Sequence, residues 1–77
     1  MDIQVETRPG PWGDPEPNAF FLGRRRLGVV SVVDRWLADE HGYYKVCADD
    51  GDLYILRFDK PSGRWQMTLF RNRSKSW

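Results

Sequence analysis

The sequence predicts an all-β protein, a five-stranded antiparallel meander that curls into a small, partly open SH3-like barrel behind a proline-rich N-terminal extension. Three observations carry this prediction. Residues 43–48, 53–58 and 64–70 are short runs rich in aromatic and β-branched side chains, the composition that suits a pleated, half-buried surface. Two turn signals of different chemistry separate them, Asp49-Asp50-Gly51 and Lys60-Pro61-Ser62-Gly63. A longer run, 26–38, holds Val29, Val30, Val32 and Val33 beside Gly28 and lacks a helix N-cap, so a strand is favoured over a helix.

The two turns set a register. Asp49-Asp50-Gly51 as a three-residue loop needs Gly51 in the left-handed conformation of a bulge, and it places Val46 opposite Tyr54 and Tyr44 opposite Leu56. A two-residue Asp50-Gly51 turn would set Lys45 beside Leu56 and split the apolar set, so the three-residue loop is preferred. Lys60–Gly63 fits a type I turn with Pro61 second and Gly63 fourth. Phe58 then faces Trp65, Leu56 faces Met67, and Tyr54 faces Leu69. One apolar face results, and both turns agree on it. The opposite face reads Tyr43, Arg57, Gln66, then Lys45, Ile55, Thr68, then Cys47, Leu53, Phe70. Its Cys47 end is apolar and calls for a cover, from Ile3, Val5 and Trp12 or from a partner.

The first half is less regular. Ile3 and Val5 alternate with Asp2, Gln4 and Glu6, as in a short edge strand at 3–5 or a loose terminus. Pro9, Pro11, Pro15 and Pro17, with Gly10 and Gly13, argue against a helix or a central strand. Residues 1–18 are therefore assigned as an extended, mobile tail of polyproline II character. Residues 19–71 form the single β-domain and 72–77 a disordered basic tail. Strands are expected at 19–22, 26–37, 43–49, 53–59 and 64–71. The run 26–38 is apolar on both parities: Val30, Val32 and Trp36 on one, Leu27, Val29, Val33 and Leu37 on the other. Such a strand is buried on both sides or bent by a bulge.

Composition narrows the function. A 77-residue chain makes one domain with a marginal core. Cys47 is the only cysteine, which excludes an intramolecular disulfide and a cysteine-rich metal site and fits a reducing, cytoplasmic setting. No apolar run nears the roughly 18 residues of a membrane span. The net charge of +1 is unevenly placed: four acids against Arg8 in 1–18, and Arg64, Arg71, Arg73 and Lys75 without an acid in 64–77. The two ends can attract each other, the basic end can meet an acidic partner, or both can simply be solvated.

Enzymatic readings find little support. His41, the one histidine, lies in a turn with neither metal-ligand spacing nor a nucleophile to serve. Cys47 has no base placed near it and reads as a small strand hydrophobe. Asp49, Asp50 and Asp52 look like a calcium-loop fragment, but Gly51 comes too early and no closing glutamate follows, so turn chemistry explains them. No phosphate-cradling glycine loop is present. The sequence thus predicts no catalytic residue, metal or cofactor. Two interaction surfaces stand as candidates. One is the mixed face of Tyr43, Lys45, Ile55 and Arg57, for a protein partner. The other is Arg24, Arg25 and Arg26 with Arg71 and Arg73, for phosphates, although balanced acids weaken the overall field. The aromatics Trp36, Tyr43, Tyr44, Tyr54, Phe58 and Trp65 are assigned to the core, because a small domain without disulfides needs large side chains to bury.

The spaced pattern Phe20-Phe21-Leu22-Gly23-Arg24-Arg25-Arg26-Leu27, Val30, Val33-Asp34-Arg35-Trp36, Tyr43-Tyr44-Lys45-Val46, Asp50-Gly51, Tyr54-Ile55-Leu56 and Gly63-Arg64-Trp65 resembles a family of small bacterial β-domains. Members of that family occur alone or in association with Y-family-polymerase-like mutasome proteins. The likeness covers residues 18–70 and implies an accessory role, near DNA repair, with no catalytic residues to carry over. The expectation is a monomeric, cytoplasmic, non-enzymatic interaction module with a protein partner, or alternatively a nucleic-acid-binding module.

Overall fold

A computed structural model describes residues 2–71, the backbone alone over 69–71. These residues form seven strands: β1 (Asp2–Ile3), β2 (Val5–Pro9), β3 (Pro15–Leu22), β4 (Arg25–Leu37), β5 (His41–Ala48), β6 (Leu53–Asp59) and β7 (Arg64–Arg71). They pair antiparallel in the order β1-β7-β6-β5-β4-β3-β2, a sheet that is nearly closed into a barrel. The all-β class is as predicted, but the strand count is seven rather than five. No helix interrupts the described residues, and so none is long and apolar enough to cross a membrane.

The three-residue loop at Gly51 is as its residues predict, whereas the turn at Lys60–Gly63 closes onto Asp59 O, one residue wider than the expected type I turn. Gly51 has φ +86°, and Ala48 N donates to Asp52 O across the three-residue loop. Val46 faces Tyr54 and Tyr44 faces Leu56. Gly63 is also left-handed, with φ +68°, and its N–H donates to Asp59 O. Phe58 faces Trp65 and Leu56 faces Met67. One step later the ladder departs from expectation. A bulge between Ile55 and Leu56 inserts Thr68, so Tyr54 faces Phe70 and Ile55 faces Leu69. The Thr68 hydroxyl donates to Ile55 O and fastens the irregular point.

Two bulges in β4 resolve its double apolar parity. They leave Val30 and Val33 as extra residues between the pairs Val29↔Ala48, Ser31↔Cys47, Val32↔Val46 and Asp34↔Lys45. Each bulge flips the alternation. Leu27, Val29 and Val32 therefore pack on the core, while Val30, Val33 and Trp36 face out.

The N-terminal segment is built into the barrel rather than held off it as a tail. Ile3 pairs with Trp65 of β7, and two residues on Val5 pairs with Phe20 of β3. Between them Phe21 N donates to Gln4 O. A single extended segment thus bridges both edges of the sheet. The Ile3/Val5 alternation covers Trp65 and Phe20, not the Cys47 end of the opposite face. The prolines are tolerated because Pro15 and Pro17 pair only with β2, whereas β3 pairs with β4 only from Ala19 onward. The basic tail 72–77 lies outside the described residues.

Charge docks this segment. Each of its four acids meets a cation: Asp2 with Arg64 at 4.0 Å, Glu6 with Arg26 at 2.7 Å, Asp14 with Lys60 at 3.7 Å, and Glu16 with Arg35 and Arg8. The exposed pairs add little stability, but together they favour one alignment. The core beneath consists of Phe20, Leu27, Tyr44, Val46, Ala48, Tyr54, Leu56 and Trp65.

Candidate interaction face

The four residues of the mixed face come together as the register predicts. Tyr43 lies directly opposite Arg57, and Lys45 opposite Ile55, so all four share the outward face of β5 and β6. Each is half-buried, with the remainder open to solvent. The His41 ring meets the Tyr43 ring edge-on, with centroids 5.4 Å apart. Arg57 reaches Asp59 only at 3.9 Å, and Lys45 forms no ion pair or side-chain hydrogen bond among the described residues.

The sequence assigns Trp36 to the core, and the structure corrects this. Trp36 is cross-strand to Tyr43 and 48% exposed. It ends an apolar stripe that begins with Val30 at 68% and continues through Val33 at 54%. This stripe adjoins the Tyr43/Lys45 face along β4 and was hidden by simple alternation. The signal that could reveal it is the three-residue spacing of 30, 33 and 36, the period two successive bulges create.

The arginine triplet is divided. Arg26 is committed to Glu6, which draws the carboxyl below its ordinary value through that hydrogen bond. Arg24 and Arg25 are exposed at the β3–β4 turn, where Gly23 has φ +61°, and neither forms an ion pair or side-chain hydrogen bond among the described residues. Arg71 is placed by its backbone opposite Leu53, and Arg73 lies outside the described residues. Those two are not brought to the triplet by any described side-chain geometry.

A polar cluster ties the proline-rich segment to β4 and β5. Glu16 is buried and accepts from Arg35 Nε, with Arg8 3.7 Å away on its other oxygen. The Arg35 hydrogen bond pulls the Glu16 carboxyl below its ordinary value, outweighing burial, which pushes it up. Trp12 lies over the Arg35 guanidinium, 5.6 Å from atom to ring centre, rather than over Cys47. The Tyr44 hydroxyl donates to Pro15 O, and burial raises its pKa. These groups satisfy one another, and no buried side-chain polar atom is left unpartnered among the described residues.

The aspartates of the β5–β6 turn are spent on structure. Asp50 accepts from Asp52 N and from the Tyr54 hydroxyl, and Asp49 accepts from Gly28 N. Burial, and then the Asp50 bond, pushes the Tyr54 hydroxyl well above the usual phenol range. Cys47 is buried. No group of three metal-ligating side chains occurs among the described residues. An open cleft of about 790 Å³ lies where the N-terminal segment crosses from β7 to β3, lined by Ile3, Val5, Phe21, Arg64 and Trp65 among others.

Comparison with family models, with curated proteins and with solved structures returns no match in any of the three.

Proposed function

We propose that the chain is a non-enzymatic protein-interaction module that binds through the outward face of β4, β5 and β6. The observation that supports this is the exposed stripe Val30, Val33 and Trp36 running beside Tyr43, Lys45, Ile55 and Arg57. Contiguous exposed apolar surface bordered by polar groups marks interaction sites, and Trp and Tyr are the residues that most often anchor them. A photo-crosslinking residue at position 43, in cells that naturally make the chain, tests the reading. Protein adducts are expected at 43 and not at 62, on the β6–β7 turn. Equal yields from both positions would count against the face.

A second reading, nucleic-acid binding and with it an accessory role near DNA repair, draws on the exposed Arg24 and Arg25. It is weaker, because Arg26 is already paired and the net charge of +1 leaves the overall field weak. Titration with single- and double-stranded oligonucleotides at low salt decides it, since phosphate contacts are strongest there. No binding at low salt eliminates this second reading.

A further inference from the structure

We infer that the occupant of the β4 face is a second copy of the same chain, joined across a two-fold axis at Val33; this rests on the interaction reading above and names its partner. The first support is the symmetry of the stripe. Val30 and Trp36 stand three residues either side of Val33; Val30 and Val33 are the residues the two bulges insert, and Trp36 is paired with Tyr43 in the regular ladder that follows. All three are exposed, Val30 and Val33 by more than half of their surface and Trp36 by 48%. When two β4 strands stack antiparallel and face to face about Val33, Val33 meets itself. Each small Val30 then meets the partner's large Trp36. An interface of this kind is isologous, each contact occurring twice, and two-fold dimers are the commonest oligomers.

Charge supplies the second support. On the same face Asp34 sits directly opposite Lys45 in the ladder, and no ion pair joins them. Antiparallel stacking sets Asp34 of one copy diagonal to the partner's Lys45, and the reverse, so the charges complement twice. The face also carries Arg57 and Asp59, again one of each sign, which leaves no excess charge to repel a like surface. Size is the third support. A 77-residue chain with one cysteine has no disulfide to lean on, and small domains of this kind gain stability by association. The dimer departs from the monomer that the sequence predicts.

The test uses the whole chain. Sedimentation equilibrium of the unaltered protein should show a concentration-dependent monomer–dimer equilibrium. Val33→Glu should weaken dimerisation by about a hundredfold or more, since it places two carboxylates together at the axis, and its circular dichroism should stay that of a folded β protein. Val33→Cys should be joined to itself by a short bismaleimide, and Ser62→Cys, on the exposed β6–β7 turn, should not; the buried Cys47 is common to both. A mixture of Val30→Cys and Trp36→Cys should cross-link better than either alone. A monomer at every concentration, or equal cross-linking at 33 and 62, overturns the inference. If the protein stays monomeric while position 43 captures a different protein, the inference fails and the interaction reading survives. If position 43 captures neither another protein nor a second copy, both fail.

Discussion

Arg35 Nε donates to Glu16 Oε2, joining β4 to β3 far from the four residue pairs through which those strands form a ladder. The carboxylate is buried at this point, and the guanidinium has Trp12 over its outer side. The pair fixes the proline-rich entry of β3 against the distal half of β4. Replacing Arg35 by Met should cost about 1–3 kcal/mol, the range for stranding a buried hydrogen-bonding group. Arg8, still near Glu16, keeps the cost below the larger penalty of a wholly unpaired buried charge. Urea unfolding of the two proteins at pH 7 measures it.

The same pair predicts a pH dependence. Glu16 is held below its ordinary value of 4.5 by the Arg35 hydrogen bond. A carboxyl whose folded pKa is depressed stabilises the fold fully above the unfolded value, and the contribution is lost as pH falls through the lower folded value. Glu16→Gln should therefore be less stable than the parent at pH 7, and the gap should close progressively below pH 4.5. A gap that stays constant from pH 7 to pH 3 would remove the ionised carboxylate from the account.

Trp65 should be the costliest single truncation. It is 7% exposed, and its ring lies 4.8 Å from Phe58 and 5.5 Å from Tyr44. Ile3 of the N-terminal segment is its cross-strand partner. Trp65→Ala should cost about 3–5 kcal/mol, the usual loss for a buried aromatic, and chemical denaturation reads it directly. An almost unchanged midpoint would place Trp65 outside the core.

Gly51 separates backbone strain from crowding. Its φ is +86°, and a Cβ built there meets nothing within 4 Å. Gly51→Val should thus cost about 1–2 kcal/mol through left-handed strain alone. Gly51→Asn, which tolerates that region better, should cost less. Equal thermal shifts for the two variants would refute the assignment.

Closure by the N-terminal segment is visible to hydrogen exchange. The Phe21 amide donates to Gln4 O and should be protected with the core. Val5→Asp places a carboxylate beside Phe20, should cost about 1–3 kcal/mol, and should lower Phe21 protection on the order of tenfold. Rapid exchange at Phe21 in the unaltered protein would return residues 2–9 to the mobile tail that their sequence suggests.

The C-terminal half was legible because its turns are local. Gly51 and Gly63 fix loop geometry within a few residues, and the pairs Val46↔Tyr54 and Phe58↔Trp65 follow. The N-terminal half was not, because its partners are distant in sequence. Ile3 finds Trp65 and Glu16 finds Arg35, and proline content alone reads as a tether. Bulges account for the remaining differences. One displaced Tyr54 from Leu69 to Phe70, and two in β4 turned Val33 and Trp36 outward. The Tyr43, Lys45, Ile55, Arg57 set emerged from register; the stripe beside it needed the bulges.

The central claim is that the outward face of β4, β5 and β6 serves binding rather than folding. The double variant Val33→Ser/Trp36→Ser tests it most directly, by unfolding midpoint and by photo-crosslinking from position 43 measured on the same protein. Exposed side chains contribute little to stability, so the midpoint should move by less than about 1 kcal/mol, while adducts from position 43 should disappear. A loss of several kcal/mol would show these residues to be part of the core, and undiminished adducts would show that binding lies elsewhere.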